Sequence, residues 1–144
     1  MPRIVRIDPQ HTANAISAVT QAQTATDTTF RAVPVATVAD CLRSVVGASK
    51  VLHFVNDAVF PIWDSKIETF RQNNTKPTQK HMKQVPRYLD YVAEVHGIRQ
   101  DPGFRTFFSQ FVAALDARLV ALNIVRYKIS EVRAIEAAAF ELAP

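Results

Sequence analysis

Residues 48–65 place Lys50, His53, Trp63 and Asp64 among side chains that otherwise build cores. Lys50 follows Gly47 and Ser49 closely. Gly47 suits the left-handed position that closes one helix, Ser49 suits the start of another, and Lys50 then falls in the first turn of the second helix. A tight glycine-bearing turn between two helices leaves backbone N–H groups free at the second helix's N-terminus, where they can hold a phosphate. Downstream, Pro61 disfavours helical geometry at Phe60, so Phe60-Pro61-Ile62-Trp63 reads as an extended lead into Asp64. His53 stands three residues after Lys50 and can neighbour it on one helix face.

Each of these residues also has a reading without chemistry. Asp64 is well placed as an N-cap, worth about 1 kcal/mol. Lys50 fits a solvated surface, and Trp63 fits a partly buried anchor whose indole N–H is hydrogen-bonded. His53 fits a structural histidine satisfied by a backbone carbonyl.

The arrangement resembles the helix-hairpin-helix DNA glycosylases and lyases. In that family a hairpin of the form Leu-Pro-Gly-Val-Gly-x-Lys precedes an apolar helix, and a Val-Pro-Val/Ile-Asp-type stretch then supplies an aspartate. The matching elements here are Val46-Gly47-Ala48-Ser49-Lys50, the apolar run 51–54, and Phe60-Pro61-Ile62-Trp63-Asp64. The resemblance implies that Lys50 is an amine nucleophile forming a Schiff base at a sugar C1′, with Asp64 as the assisting carboxylate. It also implies a lysine pKa lowered by burial or neighbouring cations, and a flipped base on which Trp63 could stack. The likeness covers about 20 residues. One hairpin glycine is present rather than two, and 14 residues separate Lys50 from Asp64. The hairpin therefore also reads as a nucleic-acid-binding scaffold that lacks the chemistry.

Charge points the same way. The chain carries a net +4, but residues 66–87 hold Lys66, Arg71, Lys76, Lys80, Lys83 and Arg87 against a single acid, Glu68. A local basic segment is the footprint expected for a phosphate backbone, so DNA is the expected partner, with Gly47, Ser49 and these six cations as contacts. The alternative is a non-enzymatic helical interaction or regulatory module whose exposed aromatics contact protein, with the basic segment a solvated helix–loop–helix.

The elements that must position these residues are all helical. Asp8-Pro9 opens a helix running to about residue 24, mildly amphipathic through Ala13, Ile16 and Val19. A linker over 24–29 leads to a helix over 35–46. Further helices are expected over 50–56 and 65–72, from Thr78 with a kink or restart at Pro86, and from Ser130 to the end. In the last of these, Val132, Ile135, Ala139 and Leu142 should face inward. Asn73-Asn74-Thr75-Lys76-Pro77 is a polar turn, and residues 1–8 read as an extended arm. The clearest helix follows Asp101-Pro102, with Phe104, Phe108, Phe111, Leu115, Leu119 and Leu122 at three- and four-residue spacing. Run to about Tyr127 it would be roughly 38 Å long and form the central spine of the core. The expectation is a single compact all-α domain over 1–144 with a long central C-terminal helix.

Composition narrows the function classes. Three glycines in 144 residues disfavour sandwiches, barrels and phosphate-cradling loops. The single cysteine, Cys41, rules out an internal disulfide framework and a Cys-based zinc site, and its apolar neighbours suggest a small buried side chain. His11, His53, His81 and His96 show no metal-ligand spacing, and no cofactor fingerprint or serine-hydrolase signature occurs. Arg3, Arg6 and Asp8 interrupt the only candidate leader, and no run is long and apolar enough to span a membrane. A cytoplasmic protein without metal or cofactor is the expectation; its oligomeric state is not legible.

Overall fold

The computed structural model of the protein describes residues 9–144. Among them all regular structure is helical, in eight α-helices and two short 3-10 turns. The arm expected at residues 1–8 lies outside the described residues. A 3-10 turn, Pro9–His11, leads into α1, Thr12–Ala22. Its buried stripe is Ala15, Ala18 and Ala22, not the expected Ala13, Ile16 and Val19; Ile16 is exposed and Val19 half-buried. Small alanines let α1 lie close against its neighbours, and that closeness decided the face.

Helices α2 (Val35–Leu42) and α3 (Val45–Val55) form a hairpin with a two-residue turn. The expected helix end at Gly47 is displaced: Arg43 takes the left-handed conformation with φ 54° and ends α2. Ser44 then caps α3, its hydroxyl accepting the Gly47 N–H at 2.8 Å. A Cβ on Gly47 would come within 3.2 Å of the Ser44 side chain, so the glycine makes room for the cap and does not end a helix. Asp64 caps α4 (Ser65–Arg71) as expected, accepting the Ile67 N–H at 2.8 Å. The polar turn after it contains Asn73 and Asn74, both with positive φ. Thr78 caps the short α5 (Gln79–Met82), and the chain restarts at Pro86 in the first turn of α6 (Val85–Arg99). Ser130 caps α8 (Glu131–Leu142), accepting the Arg133 N–H at 3.0 Å.

Trp63, Tyr88, Phe60, Leu52, Val92 and Val132 are sealed in one continuous core drawn from α3, α6, α8 and the segment leading to α4. Helix α7 (Phe104–Ala121) is not its spine. Phe104 and Leu119 are buried, but Phe108, Phe111 and Leu115 are only half-buried, and Leu122 lies beyond the helix end and 59 % exposed. The helix stops at Ala121, with Asn123 at φ 55° turning the chain back six residues short of Tyr127. Only the first turns of α7 lean on the core through Phe104, Phe107 and Phe108. On α8, Val132 and Ile135 face inward as expected, but Leu142 is exposed. Cys41 is buried.

Candidate functional site

Between α3 and α4, residues 56–64 run without helix through the middle of the core, with Val59, Phe60, Pro61 and Trp63 buried. Irregular backbone out of reach of water must find a partner for each polar group. Three helices supply them. From α6, His96 Nε2 donates to the Val59 carbonyl at 2.9 Å and the Tyr88 hydroxyl to the Pro61 carbonyl at 3.0 Å. From α3, His53 Nδ1 donates to the Phe60 carbonyl at 2.9 Å, and Ser49 Oγ accepts the Trp63 N–H at 3.0 Å. From α8, the Glu136 carboxylate accepts the Ile62 N–H at 3.1 Å. The Trp63 indole donates to Glu68 Oε2 at 2.7 Å.

The electrostatics follow from this packing. Burial lowers the His96 pKa despite its bond to Val59, and Arg99 donates to Nδ1 at 3.0 Å, which fixes the ring proton on Nε2. Burial also raises the Glu136 pKa, opposed by the Ile62 N–H, Arg133 and His53. Burial would push Glu68 up too, but hydrogen bonds from Trp63, His81 and Arg71 outweigh it and leave that carboxyl below its ordinary value. Arg71 spans Glu68 at 2.5 Å and Glu94 at 2.6 Å, its guanidinium over the Tyr91 ring.

Several expected site residues are taken up by this architecture. Trp63 is fully buried and hydrogen-bonded, so it cannot stack on a base without unpacking the core. Ser49 is buried against the Trp63 backbone, not presented at a helix start. The Gly47 N–H is occupied by Ser44. Lys50 stands exposed in the second turn of α3 and makes no ion pair with Asp64, whose carboxylate caps α4. Of the six cations, Arg71 is committed to two glutamates, and Lys66 Nζ lies 3.9 Å from the Phe140 ring centroid. Lys76, Lys80, Lys83 and Arg87 remain exposed, without an ion pair among the described residues.

The α2–α3 turn does meet one of the six cations, Lys83, though through residues 43–45 and not through Gly47, Ser49, Lys50 or Asp64. A cleft of about 420 Å³ is lined by Arg43, Ser44 and Val45 from the α2–α3 turn and by Lys83 and Val85 from the α5–α6 junction. His11 and Asp40 complete its rim. Val45, among its lining residues, opens α3, whose first intrahelical bond Ala48 makes to Ser44. Arg43 escaped sequence reasoning because a left-handed arginine leaves no composition signal. Among the described residues no group of three or more His, Cys, Asp or Glu could hold a metal, and no helix is long and apolar enough to cross a membrane. No known family model, curated protein or solved structure matches the chain.

Proposed function

We propose that the protein binds nucleic acid through its sugar–phosphate backbone, with the α2–α3 hairpin as a non-catalytic docking element. The observation that carries this reading is the cleft in which the hairpin turn meets Lys83, continuous in sequence with exposed Lys80, Lys76 and Arg87. Lys83 brings to the rim an exposed cation without an ion pair among the described residues. Schiff-base chemistry at Lys50 has less support. An amine nucleophile needs partial burial or neighbouring cations to lower its pKa, and Lys50 stands in solvent on the outer side of a helix.

The test is fluorescence anisotropy of a labelled duplex and a labelled single strand of the same length, titrated with protein from low to physiological salt. Lys83→Gln with Lys80→Gln should weaken binding and lower the slope of log K against log salt by nearly one for each phosphate no longer neutralised. Lys50→Gln should leave both quantities unchanged. Absence of binding at about 50 mM salt, or a slope indifferent to Lys80 and Lys83, would overturn the proposal. A borohydride-trapped adduct on abasic DNA that disappears in Lys50→Gln would overturn its non-catalytic half.

A further inference from the structure

Helix α7 and the segment returning from it form an arm whose apolar surface the other described residues leave open. Val120, Leu122, Ile124, Val125 and Tyr127 are 55 %, 59 %, 49 %, 87 % and 57 % exposed. Together they bare on the order of 600 Å² within eight residues, the upper end of what a monomer leaves in one apolar patch. Beside them a groove of about 420 Å³ runs between α7 and the returning segment, walled by Phe108, Val112 and Leu115 on one side and by Tyr127 and Ile129 on the other. With the groove walls, the surface approaches the roughly 800 Å² per partner of a standard stable interface.

The backbone of the returning segment is equally bare. After Ile124 donates to the Leu119 carbonyl, residues 125–129 make no hydrogen bond with the described residues through either N–H or C=O. Ile124-Val125-Arg126-Tyr127-Lys128-Ile129 is built from β-branched and aromatic residues, the types that favour strands, yet no strand faces it. Such an edge invites another chain, and only the two cations guard it.

We infer that a second copy of this chain covers the arm, the two returning segments pairing antiparallel across a two-fold axis. The surface is self-complementary, which is what an isologous interface requires. The groove supplies Asp116 and the segment supplies Arg126 and Lys128, so each copy offers both the carboxylate and the cations that the other needs. Register follows from charge. An axis through residue 126 would set Arg126 against its own copy, and one through residue 127 would set Arg126 against Lys128. An axis through Val125 sets that residue against its own copy and Ile124 against Arg126, which opposes no two cations and keeps each opposed pair on one face, as the strand alternation requires.

Sedimentation equilibrium of the full chain from about 1 to about 200 µM tests this, with monomer–dimer exchange expected. The limiting mass should be twice the 16.1 kDa of one chain. Val125→Asp should weaken dimerisation at least tenfold while leaving the far-ultraviolet circular dichroism unchanged, since that side chain is exposed within one chain. Val125→Cys should give an intermolecular disulfide under mild oxidation, because the proposed register sets that position opposite its own copy and so brings a cysteine pair together. A chain that stays monomeric at the highest concentration overturns the inference. So does a dimer that Val125→Asp leaves intact, and a dimer in which the cysteine pair fails to cross-link overturns the register.

Discussion

Replacing Glu68 by leucine should destabilise the fold by about 3 kcal/mol, and the structure shows where that cost arises. The carboxylate is buried and takes the Trp63 indole N–H at 2.7 Å, Arg71 at 2.5 Å and His81 Nε2 at 2.8 Å. Leucine leaves the indole N–H unpaired in a dry core, worth about 1–3 kcal/mol, and removes charge-assisted bonds of about 1.5–3 kcal/mol each. Two relaxations hold the sum down. Arg71 keeps Glu94, and His81, once free of the carboxylate, can move its ring proton so that Nε2 accepts from the Gln72 amide 3.2 Å away. Glu68→Gln, which retains an acceptor for the indole, should cost only about 1–2 kcal/mol. Urea denaturation followed by fluorescence suits the assay, because Trp63 is the only tryptophan and its own environment is what changes. The sign of the pH dependence follows from the Glu68 carboxyl lying below its ordinary 4.5 when folded. Its contribution is therefore complete above that value and is lost as pH falls through the folded pKa, so the gap between wild type and Glu68→Gln should close in acid. Glu68→Leu within about 0.5 kcal/mol of wild type, or a gap constant from neutral pH to about pH 3, would refute the reasoning.

A second pH effect belongs to His96, whose pKa burial lowers from its ordinary 6.5. The stability it confers is full above that value and is lost as pH falls through the folded pKa, because protonation takes away the Nδ1 acceptor that Arg99 uses. Melting temperature should fall between about pH 7 and 5 in wild type, and fall less in His96→Gln, which can still donate to Val59. Equal slopes would exclude the role. Core position makes the third contrast: Leu52→Ala should cost about 2–5 kcal/mol, whereas Leu115→Ala, half-buried on α7, should cost about 1 kcal/mol in dilute protein where the chain is dissociated. Denaturation of both variants at about 1 µM decides it, and equal costs would restore α7 to the core.

Helix positions were legible wherever a local signal acts alone. Asp64, Ser130 and Thr78 each carry an oxygen able to accept a backbone N–H two or three residues on, and all three cap helices. Pro86 restarts a helix because it lacks only a donor that the first turn does not need. At Gly47 two local signals competed. Glycine favours a helix end, but Ser44 three residues earlier is a good N-cap, and the cap prevailed because glycine leaves it room. The displaced boundary carried Ser49 and Lys50 from the head of a helix into its body, and with them the expected phosphate contacts.

What periodicity could not report is what stands opposite a face. The α7 stripe has the spacing of a core helix, yet a stripe says only that a surface wants covering, not that the same chain covers it. The buried strap shows the converse. Residues 59–63 are apolar enough to be read as core, but their irregular backbone needs polar partners, and those come from His53, Tyr88, His96 and Glu136, up to 74 residues away. Of these four, His53 reads in the sequence as a structural histidine satisfied by a backbone carbonyl, as it is, whereas nothing local marks Tyr88, His96 or Glu136 for that role. Their identities make sense only once the strap's carbonyls and N–H groups are counted, because a strap without helix or ladder can enter a core only if side chains replace the bonds that secondary structure would have made. Tyr88, His96 and Glu136, all perturbed by burial, are explained by that requirement, which is why the binding proposal rests on the exposed rim of the α2–α3 cleft and not on the buried groups beneath it.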